Sequence, residues 1–231
     1  MLKKALAIAL ISVSSMASAD LVSTDWQVDG DELATLHEET GIEWLDLNLT
    51  AGMSMEDVAA EMSVGGDYEG WRFPTASEVE GFLNYAFDGV VLNTSSGTNA
   101  YPRTSTPQYV DFVNLVGLTY TQDSRAHAIG QYEADDGSID YGGVLGYTQS
   151  NEAFFRIGYS DSSVTYSNGI AAGGVYLVSD GGVTISSINN PELNAQNPNS
   201  PAALVPVPFV GMGAMVMSAL LGGGLLRNRK K

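Results

Sequence analysis

The residues best suited to chemistry are acidic. Glu133, Asp135, Asp136 and Asp140 gather around Gly137. A hard cation takes several oxygens from a tight loop, so Asp135, Asp136 and Asp140 form a candidate Ca²⁺ site. Their spacing departs from the D-x-[DN]-x-[DN]-G loop that a later Glu closes, and a solvated acidic turn is the favoured reading. Asp29, Asp31 and Glu32 pose the same choice.

The second candidate is Gly70-Trp71-Arg72. As a ligand site, the Trp71 indole and the Arg72 guanidinium would make a glycan-facing platform. As structure, Trp71 fills the core between two helices and Arg72 pairs with Glu78 or Asp67. The structural reading is favoured, because large aromatics dominate cores and an Arg in so acidic a chain meets a carboxylate. His37 and His127 are far apart in the chain and lack HExxH or His-x-His company, so spacing assigns them no metal. No G-x-S-x-G elbow, P-loop or strand-to-helix G-x-G-x-x-G occurs. No nucleophile, base and orienting group can be named together, so the chain reads as non-enzymatic, with no cofactor beyond the candidate Ca²⁺.

Composition narrows the class further. The chain has 231 residues, 27 of them acidic and 10 basic, for a net charge of −17. A hydrophobic share of 44% is enough for a packed core rather than a disordered acidic tail. The absence of cysteine excludes disulfides, a thiolate zinc site and a cysteine nucleophile.

The elements that must position these residues change character along the chain. Ser54 opens a stripe at Met55, Val58, Ala59 and Met62, with Gly65-Gly66 as the stop. Thr75 and Glu78 form a capping box ahead of Val79, Phe82, Leu83 and Ala86. Thr106-Pro107 opens a third helix with Tyr109, Phe112, Val113 and Val116 on one face. A strand is expected at 42–47, and strands rich in Tyr, Phe, Val and Ile at 126–132, 141–148, 153–159 and 174–179. Three short helices early and an antiparallel meander late predict an α+β domain over residues 20–185. From 186 to 208 the composition turns to Asn, Pro, Ser and Ala, which predicts an extended linker.

Both ends are apolar. Lys3 and Lys4, the run Ala5–Val13 and then Ala17-Ser18-Ala19 before Asp20 read as a secretory signal over residues 1–19, removed by signal peptidase between Ala19 and Asp20. At the other end, 209–226 carries no charge and is followed by Arg227, Arg229, Lys230 and Lys231. Eighteen residues at about 1.5 Å each span about 27 Å, enough for one transmembrane helix, with the basic residues 227–231 kept in the cytoplasm. Removal of both ends leaves Arg72, Arg103, Arg125 and Arg156 against all 27 acids, a formal charge of −23. Such a surface repels nucleic acid, since it lacks the cations that replace phosphate counterions.

The tail Val205-Pro206-Val207-Pro208, the apolar span and the Arg/Lys cluster resemble the PEP-CTERM sorting signal, closest to its VPLPA-type variant. Val207 stands where the usual motif has Glu. The resemblance implies an exosortase-like membrane enzyme as partner, transient anchoring in the inner membrane, and release to the cell surface or extracellular matrix. A second resemblance covers most of the exported part: Thr40-Gly41-Ile42-Glu43-Trp44-Leu45-Asp46-Leu47, the Ser54 helix, Gly70-Trp71-Arg72-Phe73-Pro74-Thr75 and Gly174–Ser179 look like the ectodomain common among PEP-CTERM proteins. More loosely, their order resembles bacterial C-type-lectin-like modules, which implies a carbohydrate-binding alternative with matrix polysaccharide as partner. A third alternative is an acidic surface protein whose tail is never removed.

Overall fold

The computed structural model describes residues 21–87, 98–102, 107–147, 149–150, 152–159 and 173–203. The signal cleavage residues Ala17, Ala19 and Asp20 lie outside the described residues, as do Val205, Pro206, Val207 and Pro208, the span 209–226, and Arg227, Arg229, Lys230 and Lys231. Among the described residues, no helix is long and apolar enough to cross a membrane.

The described chain is an α+β domain with two sheets and four helices. The smaller sheet orders β1 (Leu21–Thr24), β2 (Ala34–His37), β3 (Ile42–Leu45) and β10 (Val178–Ser179). All its pairings are antiparallel. The larger sheet orders β4 (Thr98–Pro102), β8 (Glu152–Tyr159), β7 (Ile139–Tyr147), β6 (Arg125–Glu133) and β5 (Tyr120–Gln122). A two-residue strand β9 (Gly174–Val175) joins β6 in parallel. The meander β6–β7–β8 is the one expected from the aromatic-rich segments.

Helices α1 (Met55–Glu61), α2 (Ala76–Ala86) and α3 (Pro107–Val116) form where their stripes and caps place them. The Ser54 hydroxyl accepts from Asp57 N and the Thr75 hydroxyl from Glu78 N, each satisfying an amide at a helix start. Val79, Phe82 and Leu83 of α2 and Phe112 and Val116 of α3 are buried. They share one core with Tyr132, Val144 and Phe155 of the larger sheet. In α1 only Val58 is fully buried. Ala59, expected on the inner face, is exposed, because a seven-residue helix turns barely two turns against its support.

Residues 174–179 depart from the single strand expected there. Tyr176 N donates to Gln131 O at 3.0 Å, and Leu45 N donates to Leu177 O at 3.0 Å, so one extended segment bonds to both sheets in turn. Its side chains alternate between two cores. Tyr176 and Val178 enter the helix-and-sheet core, while Val175 and Leu177 enter a second one with Leu45, Val58, Tyr68 and Trp71. The sheets are tied together along this stretch. Opposite it, β7 carries a bulge between Tyr141 and Gly143. Gly143 has φ +126°, and a Cβ there would stand 2.3 Å from Ala128 O, so only glycine fits.

The linker expected over 186–208 is corrected over its described part, 186–203, while 204–208 lie outside the described residues. Residues 185–189 form helix α4 (Ile185–Asn189), capped by Thr184, whose hydroxyl accepts from Ser187 N at 3.0 Å. A 3₁₀ turn follows over Pro191–Asn194. Asn194, Asn197 and Ser200 are buried. The polar composition misled because these side chains bond the domain: Asn194 Nδ2 donates to Gly41 O at 2.9 Å.

Candidate functional site

Arg72 stands at the junction of three elements. Its backbone pairs with Val178, N to O at 2.9 Å in both directions, at the edge of the smaller sheet. Its Nε and Nη2 each donate to Asp180 at 2.8 Å. Nη2 and Nη1 donate to Glu78 at 2.8 and 2.9 Å, and Nη1 also donates to Phe73 O at 3.2 Å. A guanidinium has five N–H donors, and all five are used inside the domain. The ligand-platform reading of Trp71 and Arg72 is therefore corrected. Trp71 is itself only 4% exposed and meets Trp26 edge-on at 6.1 Å, so it offers no open face.

Glu78 is the expected partner of Arg72, whereas the partner from far along the chain is Asp180 rather than Asp67. Arg72's hydrogen bonds hold the Asp180 carboxyl below the usual carboxylate range, with Asn197 adding a bond at 2.8 Å. Burial pushes Glu78 up, but bonds from Arg72 and from the Thr75 backbone outweigh it and leave its carboxyl low. The Arg72 guanidinium is raised by the same two carboxylates.

The acidic turn is a hairpin connection between β6 and β7. Ala134 N donates to Ser138 O at 2.8 Å, and Asp136 Oδ1 accepts from Ser138 N at 2.9 Å. Asp140 lies beyond the turn, on β7 opposite Tyr132. Asp135, Asp136 and Asp140 are not brought together as ligands. Among the described residues no group of three or more His, Asp or Glu is placed to hold a metal ion. Hydrogen bonds from Ser138 lower Asp136, while burial, and then the charge of Asp136, raise Asp140.

Sequence reasoning missed two buried acids on β3 and just after it. Glu43 is fully enclosed, with Oε1 accepting from the Thr184 hydroxyl and Oε2 without a hydrogen-bond partner. Burial raises its pKa against the lowering effect of the nearby Thr184, Ser187 and Asn194 side chains, of which Thr184 makes the hydrogen bond. Asp46 is 6% exposed, and burial followed by the charge of Asp31 pushes it up to about 8. Asp31 is lowered instead: burial raises it, but four backbone amides at 26, 27, 28 and 33 donate to its carboxylate. The available signal was an acid at both positions of an otherwise apolar strand, Ile42-Glu43-Trp44-Leu45-Asp46-Leu47.

Among the described residues, an opening of about 770 Å³ lies between the β2–β3 hairpin and α2. Ile42, Trp44, Phe82 and Tyr85 supply its apolar lining, and Glu39, Thr40, Ser77, Glu78 and Asn84 its polar groups. Gly81 and His37 complete the wall. The Thr40 hydroxyl donates to His37 O at 3.3 Å, accepts from Ile42 N at 3.3 Å, and lies 2.9 Å from His37 Nδ1. Which of Nδ1 and the Thr40 hydroxyl donates is set by the tautomer, and Nε2 is buried with no hydrogen-bond partner. Burial lowers the His37 pKa against the charge of Glu39, so the ring is neutral. Tyr85 stands edge-on to it at 4.5 Å. His127 is buried in the larger sheet, far along the chain from this cleft, and burial and then the charges of Arg125 and Arg156 take its pKa down to about 4.

No family model, no curated protein and no solved structure matches the chain.

Proposed function

We propose that this is an exported cell-surface or extracellular-matrix protein, made with a signal peptide, anchored briefly by 209–226, and freed by cleavage near Val205–Pro208. The observation that carries the reading is where the packed domain closes. Among the described residues Ser200 is the last buried one, and its backbone N donates to Asn197 O at 3.0 Å. Val205 follows five residues later. A cut at 205–208 leaves every described buried residue of the domain in place, which is what a sorting enzyme acting on a folded substrate requires. The tail's likeness to a PEP-CTERM signal supplies the class of enzyme, an exosortase-like membrane protein. Export also suits a chain without cysteine whose exported part carries a formal charge of −23 from 27 acids and four arginines.

The reading includes no catalytic step. Arg72 has given all its donors to the domain, and Glu43 is enclosed. The proposal extends to a C-type-lectin-like arrangement for the exported part, supported by two helices packed against antiparallel strands. The test is the intact mass of protein recovered from the cell surface and the medium. Loss of residues 1–19 and of everything from about 209 is expected. Surface protein that still carries 209–231 overturns the reading in favour of a permanent anchor.

A further inference from the structure

The carboxyl of Glu43 is covered by a part of the chain that begins 141 positions later. Thr184, Ser187 and Asn194 close around it, and these four residues are at most 1% exposed. Oε1 accepts from the Thr184 hydroxyl, while Oε2 has no hydrogen-bond partner. Asn194 repeats the pattern. Its Nδ2 donates to Gly41 O at 2.9 Å, which fixes the amide's orientation and leaves a buried Oδ1 without a partner. An ionised carboxylate can only accept, so a charged Glu43 adds an unmet negative charge to these orphaned acceptors. A neutral Glu43 carries an O–H on Oε2 and turns one of them into a donor. The packing therefore calls for the neutral acid, and burial raises its pKa in the same sense.

No cation takes the proton's place. Leu36 of β2 and Ser179 of β10 stand opposite Glu43. The charged or titratable groups on the surrounding elements are His37 at the end of β2, Asp46 just past β3, Asp180 after β10 with its partner Arg72, Asp25 beside the start of α4, and Glu192 on the 3₁₀ turn. The Glu43 carboxyl responds to burial and to its three polar neighbours, not to any of these charges.

Residues 184–203 are held on the domain by polar bonds rather than by apolar burial. Their buried members, Thr184, Ser187, Asn194, Asn197 and Ser200, are all polar, and Ile188 is 59% exposed. Ile185 N and Ser186 N donate to Trp26 O and Asp25 O at 2.8 and 3.2 Å, and Asn197 Nδ2 donates to Asp180 at 2.8 Å. Asp180 stays ionised, since Arg72 holds its carboxyl low. A segment with few buried apolar contacts opens locally before its domain unfolds. We propose that residues 184–203 are a detachable segment latched to β3 by the neutral Glu43 carboxyl, and that loss of its proton releases them while the rest of the domain stays folded. Release lengthens the chain between the packed domain and residue 204. The docked form binds the Glu43 proton more tightly than the released form, in which the carboxyl returns to its ordinary value of about 4. Docking is therefore complete below that range and weakens by up to about tenfold for each pH unit above it, until the raised value is passed. The inference does not rest on the sorting proposal, because the latch needs only residues up to 203.

The test is amide hydrogen exchange in the detergent-solubilised full chain between about pH 4 and 9, each rate taken relative to unstructured chain at the same pH. Peptides from 185–203 are expected to be less protected than those of β6 and β7, and to lose protection by up to about tenfold per pH unit. Glu43→Gln keeps a neutral donor and acceptor at every pH, so it should hold the segment and flatten that slope. Asp46→Asn, which removes the other buried acid, should leave the slope of 185–203 as in the parent. The proposal is overturned if 185–203 opens only together with β6 and β7, if its protection does not change with pH, if Glu43→Gln keeps the parent's slope, or if Asp46→Asn abolishes it. If Glu43→Gln does not fold, the parent and Asp46→Asn profiles decide between the same outcomes.

Discussion

Replacing Arg72 by Met removes one side chain and five hydrogen bonds, and its cost can be worked from the geometry. Arg72 holds Glu78 on α2 and Asp180 after β10, with closest contacts of 2.8 Å to each. Its side chain is 32% exposed, and those of Glu78 and Asp180 are 20% and 23% exposed. Breaking a fully buried pair costs about 3–5 kcal/mol, whereas an exposed pair contributes at most about 1 kcal/mol. Two bidentate pairs at this intermediate burial place the loss at about 3 kcal/mol. In a domain of this size that corresponds to roughly 6–12 °C in unfolding temperature.

The loss has a predicted pH dependence. Both carboxyls sit below their ordinary values, so the folded state releases their protons more readily than the unfolded chain. Such groups contribute stability above the unfolded carboxylate range, near pH 4, and that stability disappears as pH falls through the lower folded values. The gap between parent and Arg72→Met should therefore be full at pH 7 and shrink as the pH falls below the ordinary carboxylate range, about 4. The assay is urea unfolding of the solubilised full chain, followed by the fluorescence of Trp26, Trp44 and Trp71. Arg72→Lys, with a point charge in place of a planar fork, should recover part of the loss. A difference under about 1 kcal/mol at pH 7, or one that stays constant with pH, refutes the reasoning.

Three further outcomes follow from the same structure. Asp46 has its pKa raised to about 8, so the folded chain keeps a proton that the unfolded chain gives up. Stability should fall by up to roughly 1.4 kcal/mol per pH unit between about pH 4 and 8, and Asp46→Asn should flatten that slope in urea midpoints taken across the range. Equal slopes in the two proteins would count against the buried acid. Gly143→Ala should destabilise by about 3 kcal/mol or more, since its Cβ meets Ala128 O at 2.3 Å in a backbone conformation that L-residues avoid; calorimetry checks it, and a neutral result would remove the bulge argument. A chain ending after Ala203 should melt as the full chain does. One ending after Ile185 loses Asn194 and Ser187 from around Glu43 and should melt well below it.

Much of the fold was legible because local rules and tertiary packing agree in the same places. The α2 stripe and its Thr75–Glu78 cap are local, and so is the aromatic alternation of β6, β7 and β8. The strands left out were β1, β2, β4 and β5. β2 reads Ala-Thr-Leu-His and is buried on every residue, so it shows no alternation to detect. The tail of the domain was misjudged for the opposite reason. Asn and Ser are read as solvent-loving, yet Asn194 and Asn197 are 1% exposed because distant backbone and carboxylate groups take up their hydrogen bonds.

At the candidate sites, the sequence determined residue types and near neighbours. It settled the absence of cysteine, the acidic balance and the apolar composition of both chain ends, and it pointed to the caps of α1 and α2 and to a carboxylate partner for Arg72. Each of these depends on composition or on contacts within a few residues. Tertiary structure alone decided that Arg72's second partner is Asp180, 108 positions on, which leaves its guanidinium no donor for a ligand. It alone enclosed Glu43 under α4 and placed a hairpin from residues 37–44 beside α2 to form the cleft. Those outcomes turn on which distant surfaces meet. A carboxylate's protonation or a glycine's purpose is set by the atoms packed around it, and those come from parts of the chain that local patterning does not connect.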